Sequence, residues 1–279
     1  MAVTYLFAPA HDERKGVKAL ASSADAVIFD LEDAVPDARK EEARSVLNRR
    51  LQESRAHAGP QRWVRVNDSR TRHFQEDIRS VEWRHAHGAV LPKAEDPDAV
   101  AALGGQVSHL LLLVESVAGM AALDRMVGAS SRVERVAVGT WDLSLDLGLF
   151  SVEDPDDSEL MWHVRTQLVL ESRRLQLLPP IDGIFANLGD LQGLRNVCGR
   201  VARLGYGGKL LIHPDQIAPV QAAFDAAPTA LRQARQIVTA YEEAEREGRG
   251  ALRVGDRLVD RPMVERARAI LKRSQRERR

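Results

Sequence analysis

Two carboxylates stand where short apolar runs end. Glu115 follows Leu110–Val114, and Asp142 follows Val133–Val138 by way of Gly139, Thr140 and Trp141. If the two runs are neighbouring strands the acids converge, and such a pair suits a Mg2+ that keeps several waters and takes its other ligands from substrate. Each acid also has a plainer reading, as a first-turn acid favoured by the dipole of the helix that follows it. Arg65 lies inside the otherwise apolar Trp63–Val64–Arg65–Val66. It reads either as a structural ion pair at the bottom of the fold with an acid of the preceding run, or as a planar fork for a carboxylate or a developing enolate oxygen. Asp30, Glu32 and Asp33 end the run Ala26–Leu31, and Lys93 follows Ala89–Leu91. Glu32, Asp33 and Lys93 are expected to support the site, the acids by capping the next helix and positioning Arg65 or Lys93. His213–Pro214 reads first as a strand end and helix start, with Pro at the first helical position, and only second as a catalytic histidine.

The elements that must position these groups repeat one pattern: a short apolar run, a polar turn, then a segment of helical period. The expected strands are Val3–Ala8, Ala26–Leu31, Trp63–Val66, Ala89–Leu91, Leu110–Val114, Val133–Val138, Ile181–Phe185 and Lys209–Ile212. Runs that are apolar throughout suit strands covered on both faces, as in a parallel sheet. Eight of them, each followed by a helix, predict a TIM-type (β/α)8 barrel over residues 1–224, with an open doubly wound sheet as the competing architecture. In such a barrel chemistry sits at the C-terminal strand ends, which here deliver Asp30, Arg65, Asn67, Lys93, Glu115, Asp142, Asn187, Asp190 and His213 to one rim. Residues 225–279 are expected as a C-terminal helical extension that packs on the barrel or on a neighbouring subunit. Its parts are a helix over Asp225–Glu247, a break at Gly248–Gly255, and a second helix restarting at Asp260–Arg261–Pro262 with Val264, Ala267, Ile270 and Leu271 on one face.

Composition narrows the function classes. The chain has 279 residues, with 40 Lys plus Arg against 40 Asp plus Glu. That neutral balance lacks the positive field that nucleic-acid binding uses. One cysteine, Cys198, excludes an internal disulfide and a cysteine-based zinc site. No apolar stretch approaches the roughly 20 residues that span a bilayer, and no basic segment with an apolar core opens the chain. These features predict a cytoplasmic protein that binds neither nucleic acid nor membrane, with the terminal run Lys272–Arg279 as a solvated helix end.

The motifs then carry a family likeness. Phe29–Pro36 (FDLEDAVP), Arg65–Val66–Asn67, Leu91–Pro92–Lys93, Val114–Glu115–Ser116, Gly139–Gly148 (GTWDLSLDLG) and Ile212–Ile217 (IHPDQI) resemble, in order and spacing, the citrate lyase β-subunit family. That family is grouped with malyl-CoA and citramalyl-CoA lyases among the metal-dependent aldolases. The resemblance implies a Mg2+ held by Glu115 and Asp142, and Arg65 as a substrate-binding and catalytic arginine. It implies a catalytic aspartate before a proline, contributed by a neighbouring subunit, to which Asp260 of Leu258–Val259–Asp260–Arg261–Pro262 corresponds. It also implies a CoA-binding first loop, to which Phe7 and Lys18 correspond, and a homo-oligomer, a trimer or hexamer.

The expected activity is a carbon–carbon lyase cleaving a 3-hydroxyacyl thioester (citryl-, citramalyl- or malyl-CoA-like) into an acetyl thioester and a 2-oxo acid. The alternatives are a thioesterase on the same thioesters, or a β subunit of a larger citrate lyase assembly served by an acyl carrier protein. Two departures from the family pattern stand out. Pro9–Ala10 replaces the usual Pro-Gly after the first strand, with Arg14, Lys15 or Lys18 as possible substitutes in phosphate recognition. Ala186–Asn187–Leu188–Gly189–Asp190 replaces a more acidic, aromatic segment.

Overall fold

The computed structural model describes residues 2–54, 59–151, 153–225, 228–246, 252–254 and 257–276. They form two compact units, Ala2–Phe224 and, for its described part, Asp225–Arg279.

In the larger unit, eight parallel strands close in the order β1 to β8, with β8 pairing back onto β1. The first half runs β1 (Thr4–Pro9), α1 (Glu13–Leu20), β2 (Ala26–Asp30), α2 (Lys40–Ser54), β3 (Gln61–Arg65), α3 (Arg72–Ser80), β4 (Gly88–Leu91) and α4 (Pro97–Gly104). The second half runs β5 (Leu110–Val114), α5 (Val117–Ala129), β6 (Val133–Val138), α6 (Thr140–Asp146), α7 (Glu159–Arg174), β7 (Ile181–Asp182), α8 (Leu191–Leu204), β8 (Gly208–Leu211) and α9 (Ile217–Phe224). This is the (β/α)8 barrel that the eight apolar runs predict, and the open sheet is excluded by the β1–β8 pairing.

Successive side chains of a strand alternate between faces, and that alternation assigns every rim residue. Tyr5, Ile28, Trp63, Leu111, Leu113, Ala137 and Leu210 fill the barrel interior. Two residues beyond members of this set lie Phe7, Asp30, Arg65, Glu115, Gly139 and Ile212, so these six form the uppermost interior layer. The alternate residues, among them Leu6, Val27, Val64, Leu112 and Val136, pack outward into the larger core beneath the helices.

β5 and β6 span the expected residues, and the other strand ends differ from the expected ones by at most two residues, except at β7, which stops at Asp182 instead of Phe185. Gly183 follows, and a Cβ there would meet the Thr140 side chain at 2.7 Å and the Val138 carbonyl at 2.8 Å. The chain crosses so close to the end of β6 that it leaves the ladder. As a result β7 shares one register pair with β6 and two with β8, against five between β1 and β2. Side chains reinforce this seam. Asp182 takes a hydrogen bond from Arg165 of α7 at 2.7 Å and one from Lys209 of β8, all three fully buried. Gln216 receives the Ile212 N–H at 3.0 Å and gives its own amide hydrogen to the Phe185 carbonyl at 2.8 Å.

In the smaller unit, α10 (Pro228–Arg246) and α11 (Arg261–Arg276) accompany a two-stranded antiparallel sheet, β9 (Leu252–Val254) with β10 (Arg257–Val259). The segment expected only as a break therefore contains strand. Three-residue strands give too little alternation to be read from sequence. Val264 and Ala267 are buried, while Ile270 and Leu271 are half-buried. Residues 226–227, 247–251 and 255, within the expected helix and break, 256 just beyond it, and 277–279 of the terminal run lie outside the described residues. No helix among the described residues is long and apolar enough to cross a membrane.

Candidate active site

Glu115 emerges from β5 on the inner face, buried, and its Oε2 accepts the Lys93 backbone N–H at 2.6 Å. To aim that N–H inward, Lys93 adopts φ 46°, a left-handed conformation that costs a non-glycine residue energy. The other neighbour of Glu115 is bare backbone: a Cβ on Gly139 would lie 2.3 Å from Glu115 Cγ and 2.5 Å from Oε1. The reading of Glu115 as a helix first-turn acid fails, because Ser116 caps α5 by accepting the Gly119 N–H at 2.9 Å. Asp142, in the first turn of α6, is exposed and lines the same cavity of about 350 Å³ as Glu115, Arg65 and Phe7.

Arg65 makes ion pairs with the acids at and just after the end of β2, but at the rim rather than the bottom of the barrel. Its Nε and Nη2 each reach one Asp30 oxygen at 2.7 Å, while Nη1 lies 2.9 Å from Glu32 and 3.4 Å from Asp33. Of the five guanidinium N–H bonds, Asp30 takes the Nε hydrogen and one on Nη2, the Nη1 pair faces Glu32 and Asp33 as ion pairs, and the second hydrogen on Nη2 has none of these acids before it. The guanidinium carbon sits 4.9 Å from the Phe7 ring centroid, which fixes its plane. Glu32 also accepts from the Lys93 ammonium, so Arg65, Glu32, Lys93 and Glu115 form one chain of contacts across β2 to β5. Lys40 is a member that sequence reading misses: its buried ammonium donates to the Leu31 and Glu32 carbonyls at 2.7 Å each, holding the loop after β2. Nothing local marks a lysine inside α2 for that task.

The charges explain the acidities. Burial would raise Asp30, but the Arg65 charge and hydrogen bonds hold its carboxyl below the usual range. Burial, with Asp33 adding to it, pushes Glu32 up to about 7 against the pull of Arg65 and Lys93. Glu115 rises to about 8, through burial first and then the negative charge of Glu32, with Asp142 adding to it. A carboxylate held at that cost beside a second acid is a site that a cation relieves. The donors are oxygens only, and among the described residues no three His, Cys, Asp or Glu gather into a metal cage. The pair therefore fits a hard divalent ion that fills its shell with water or substrate oxygens.

Beside this cavity, and sharing Phe7, Ala34 and Ile212 with it, lies a cleft of about 490 Å³ whose cations are Arg14, Lys15 and Lys18. Asp12 caps α1 there, accepting the Lys15 N–H at 2.9 Å. Other rim residues turn away from chemistry. Asn67 gives its backbone and side-chain N–H groups to Asp77 at 2.8 and 2.7 Å, and Asp190 caps α8. His213 accepts the Asp215 N–H through Nδ1 at 3.2 Å in a capping box with Gln216, whose spacing three residues on was readable in sequence. Asp260 lies in the smaller unit, where Oδ1 accepts the Met263 N–H at 3.3 Å and caps α11.

Comparison with known proteins places the chain in a family. Residues 4–214 match the family described as HpcH/HpaI aldolase/citrate lyase. A (3S)-malyl-CoA thioesterase of Cereibacter sphaeroides is 34% identical over 269 residues, 95% of this chain and 92% of that protein. A citrate lyase subunit beta of Leuconostoc mesenteroides subsp. cremoris is 28% identical, covering 96% of this chain and 92% of that one. Among solved structures, the protein CitE from Mycobacterium tuberculosis in complex with magnesium, acetoacetate and coenzyme A superposes with a TM-score of 0.81, at 27% identity and 98% coverage of both chains.

Proposed function

The chain belongs to the HpcH/HpaI aldolase/citrate lyase family, and from that premise we propose that it is a Mg2+-dependent lyase. Its substrate is a 3-hydroxyacyl thioester of the citryl, citramalyl or malyl type, and its products are an acetyl thioester and a 2-oxo acid. The observation that carries the reading is the Glu115 carboxylate, seated against Gly139 in one cavity with Asp142 and Arg65 and opening beside the Arg14–Lys15–Lys18 cleft.

The reaction needs no oxidant and no water. The substrate hydroxyl loses its proton and becomes the carbonyl of the 2-oxo acid. The electron pair of the broken carbon–carbon bond passes into the thioester as an enolate, which takes a proton at carbon. A divalent ion held by Glu115 and Asp142 would polarise the substrate hydroxyl and carboxylate oxygens. Arg65, fixed by Asp30 and Phe7, directs its remaining Nη2 hydrogen at the carboxylate or the enolate oxygen. Arg14, Lys15 and Lys18 hold the phosphates of the thiol carrier. Asp260 of the partner subunit, by the family resemblance, takes the hydroxyl proton.

The likeness to a malyl-CoA thioesterase favours a second reading, in which water attacks the same thioesters at the carbonyl and the carbon–sulfur bond breaks. Product analysis separates the two. Incubation with Mg2+ and a panel of hydroxyacyl-CoA thioesters gives acetyl-CoA plus 2-oxo acid for the lyase. Free CoA plus the intact hydroxy acid would replace the lyase reading with the hydrolytic one.

A further inference from the structure

Charge is distributed unevenly around the cavity of Glu115 and Asp142. Among the described residues, its ionisable lining is Asp30, Asp33, Glu115 and Asp142 against one cation, Arg65, all from β2, β3, α6 and the segments that follow β2 and β5. Among the described residues, the side formed by β1, β8 and the segments after β7 and β8 contributes Phe7, Leu210, Ile184 and Ile212 to this lining and no charged group. Arg65 is largely committed to Asp30, Glu32 and Asp33. Lys93 gives its ammonium to Glu32 and lines a separate cavity.

Resting on the lyase reading above, we infer that the carbon bearing the substrate hydroxyl carries hydrogen or a small alkyl group as its variable substituent. The 2-oxo acid released then has one carboxylate rather than two. One substrate carboxylate has partners here, the second Nη2 hydrogen of Arg65 and the cation that Glu115 and Asp142 would hold. A second carboxylate, as in a citryl thioester, finds an apolar wall and the Asp33 carboxylate. Burying a charge without a partner beside a like charge is strongly unfavourable, whereas a methyl group gains from the same wall.

The test uses the full-length protein with Mg2+ and two readouts. In calorimetry, glyoxylate or pyruvate binds at least tenfold more tightly than oxaloacetate. In turnover, malyl- or citramalyl-CoA exceeds citryl-CoA in kcat/KM by about a hundredfold or more, the scale on which a mismatched polar group is rejected. Oxaloacetate binding as tightly as pyruvate, or citryl-CoA turned over within tenfold of the others, overturns the inference. If the one-carboxylate acids bind preferentially but no thioester is cleaved, the inference stands and the lyase reading falls. If none of the three acids binds, both fall.

Discussion

Glu115 rests against the bare α-carbon of Gly139, where a methyl group would stand 2.3 Å from Glu115 Cγ. The replacement Gly139→Ala therefore displaces the carboxylate from the position that the Lys93 N–H holds. Mg2+ affinity is expected to fall about 10–100-fold, the usual effect of disturbing a group that orients a ligand. Calorimetric titration checks this, with a thermal melt to confirm that the variant is folded. Unchanged affinity in a folded variant would remove Gly139 from the site.

The acids themselves give the companion prediction. Glu115→Gln and Asp142→Asn each replace a charged oxygen donor by a neutral amide, so each weakens Mg2+ binding while the barrel stays folded. The same titration reads it. Wild-type affinity in both variants would move the metal site elsewhere.

Arg65 and Asp30 form two parallel bonds that no lysine can reproduce. In Arg65→Lys, turnover is expected to drop about a hundredfold at saturating Mg2+, the scale for losing one oriented donor. Asp30→Ala leaves a buried guanidinium short of its main partner and is expected to destabilise the fold by about 3–5 kcal/mol. Denaturant unfolding measures the second effect and steady-state rates the first. A lysine variant with near-normal rates would reduce Arg65 to a structural ion pair.

What sequence reveals and what it hides divide along contact range. The barrel is legible because its strands are local apolar runs, and the two-residue step from Leu113 to Glu115 or from Trp63 to Arg65 assigns the rim. The partners are not legible. Arg65 meets Asp30 across 35 residues and Lys93 meets Glu32 across 61, distances that only barrel closure removes. The left-handed backbone at Lys93 leaves no trace in residue type, since lysine is not what such a conformation favours. The early end of β7 depends on the close approach of Gly183 to Thr140 and Val138, while β9 and β10 are too short to show an alternation.

At the N-terminal end of the barrel, the His87 ring stacks on His109 at 4.5 Å and lies 5.1 Å from Trp63. Burial, then the neighbouring His109 and Arg62 charges, depress the His87 pKa, with Glu134 opposing. A histidine whose folded pKa lies below its unfolded value contributes stability above the unfolded value, near 6.5, and loses it as pH falls through the folded one. Melting temperature should therefore decline below about pH 6.5, and less steeply in His87→Gln. Parallel pH profiles for the two proteins would contradict this.

Asp260 caps α11, so its loss is expected to cost about 1 kcal/mol through the cap alone. The proposed catalytic role predicts more: Asp260→Asn, which keeps a capping oxygen, is inactive yet nearly as stable as wild type. Dissociating it together with inactive Glu115→Gln protein and reassembling the mixture restores part of the activity, because hybrids contain sites with both groups intact. Hybrids that form and remain inactive would confine Asp260 to its cap.

The two-residue strand β7 divides the barrel mechanically. Where the ladder is thinnest, buried Asp182, Lys209 and Arg165 and the Gln216 amide bridge the gap. With the fewest register pairs in the barrel on its two sides, β7 is expected to exchange its amide hydrogens with solvent before β2 to β5 do, which hydrogen exchange measures. The contacts from Arg65 to Glu115 lie on the better-paired arc, so breathing at the seam leaves them in register. Loosening along that side is expected to leave the relative placement of Arg65, Glu32, Lys93 and Glu115 unchanged.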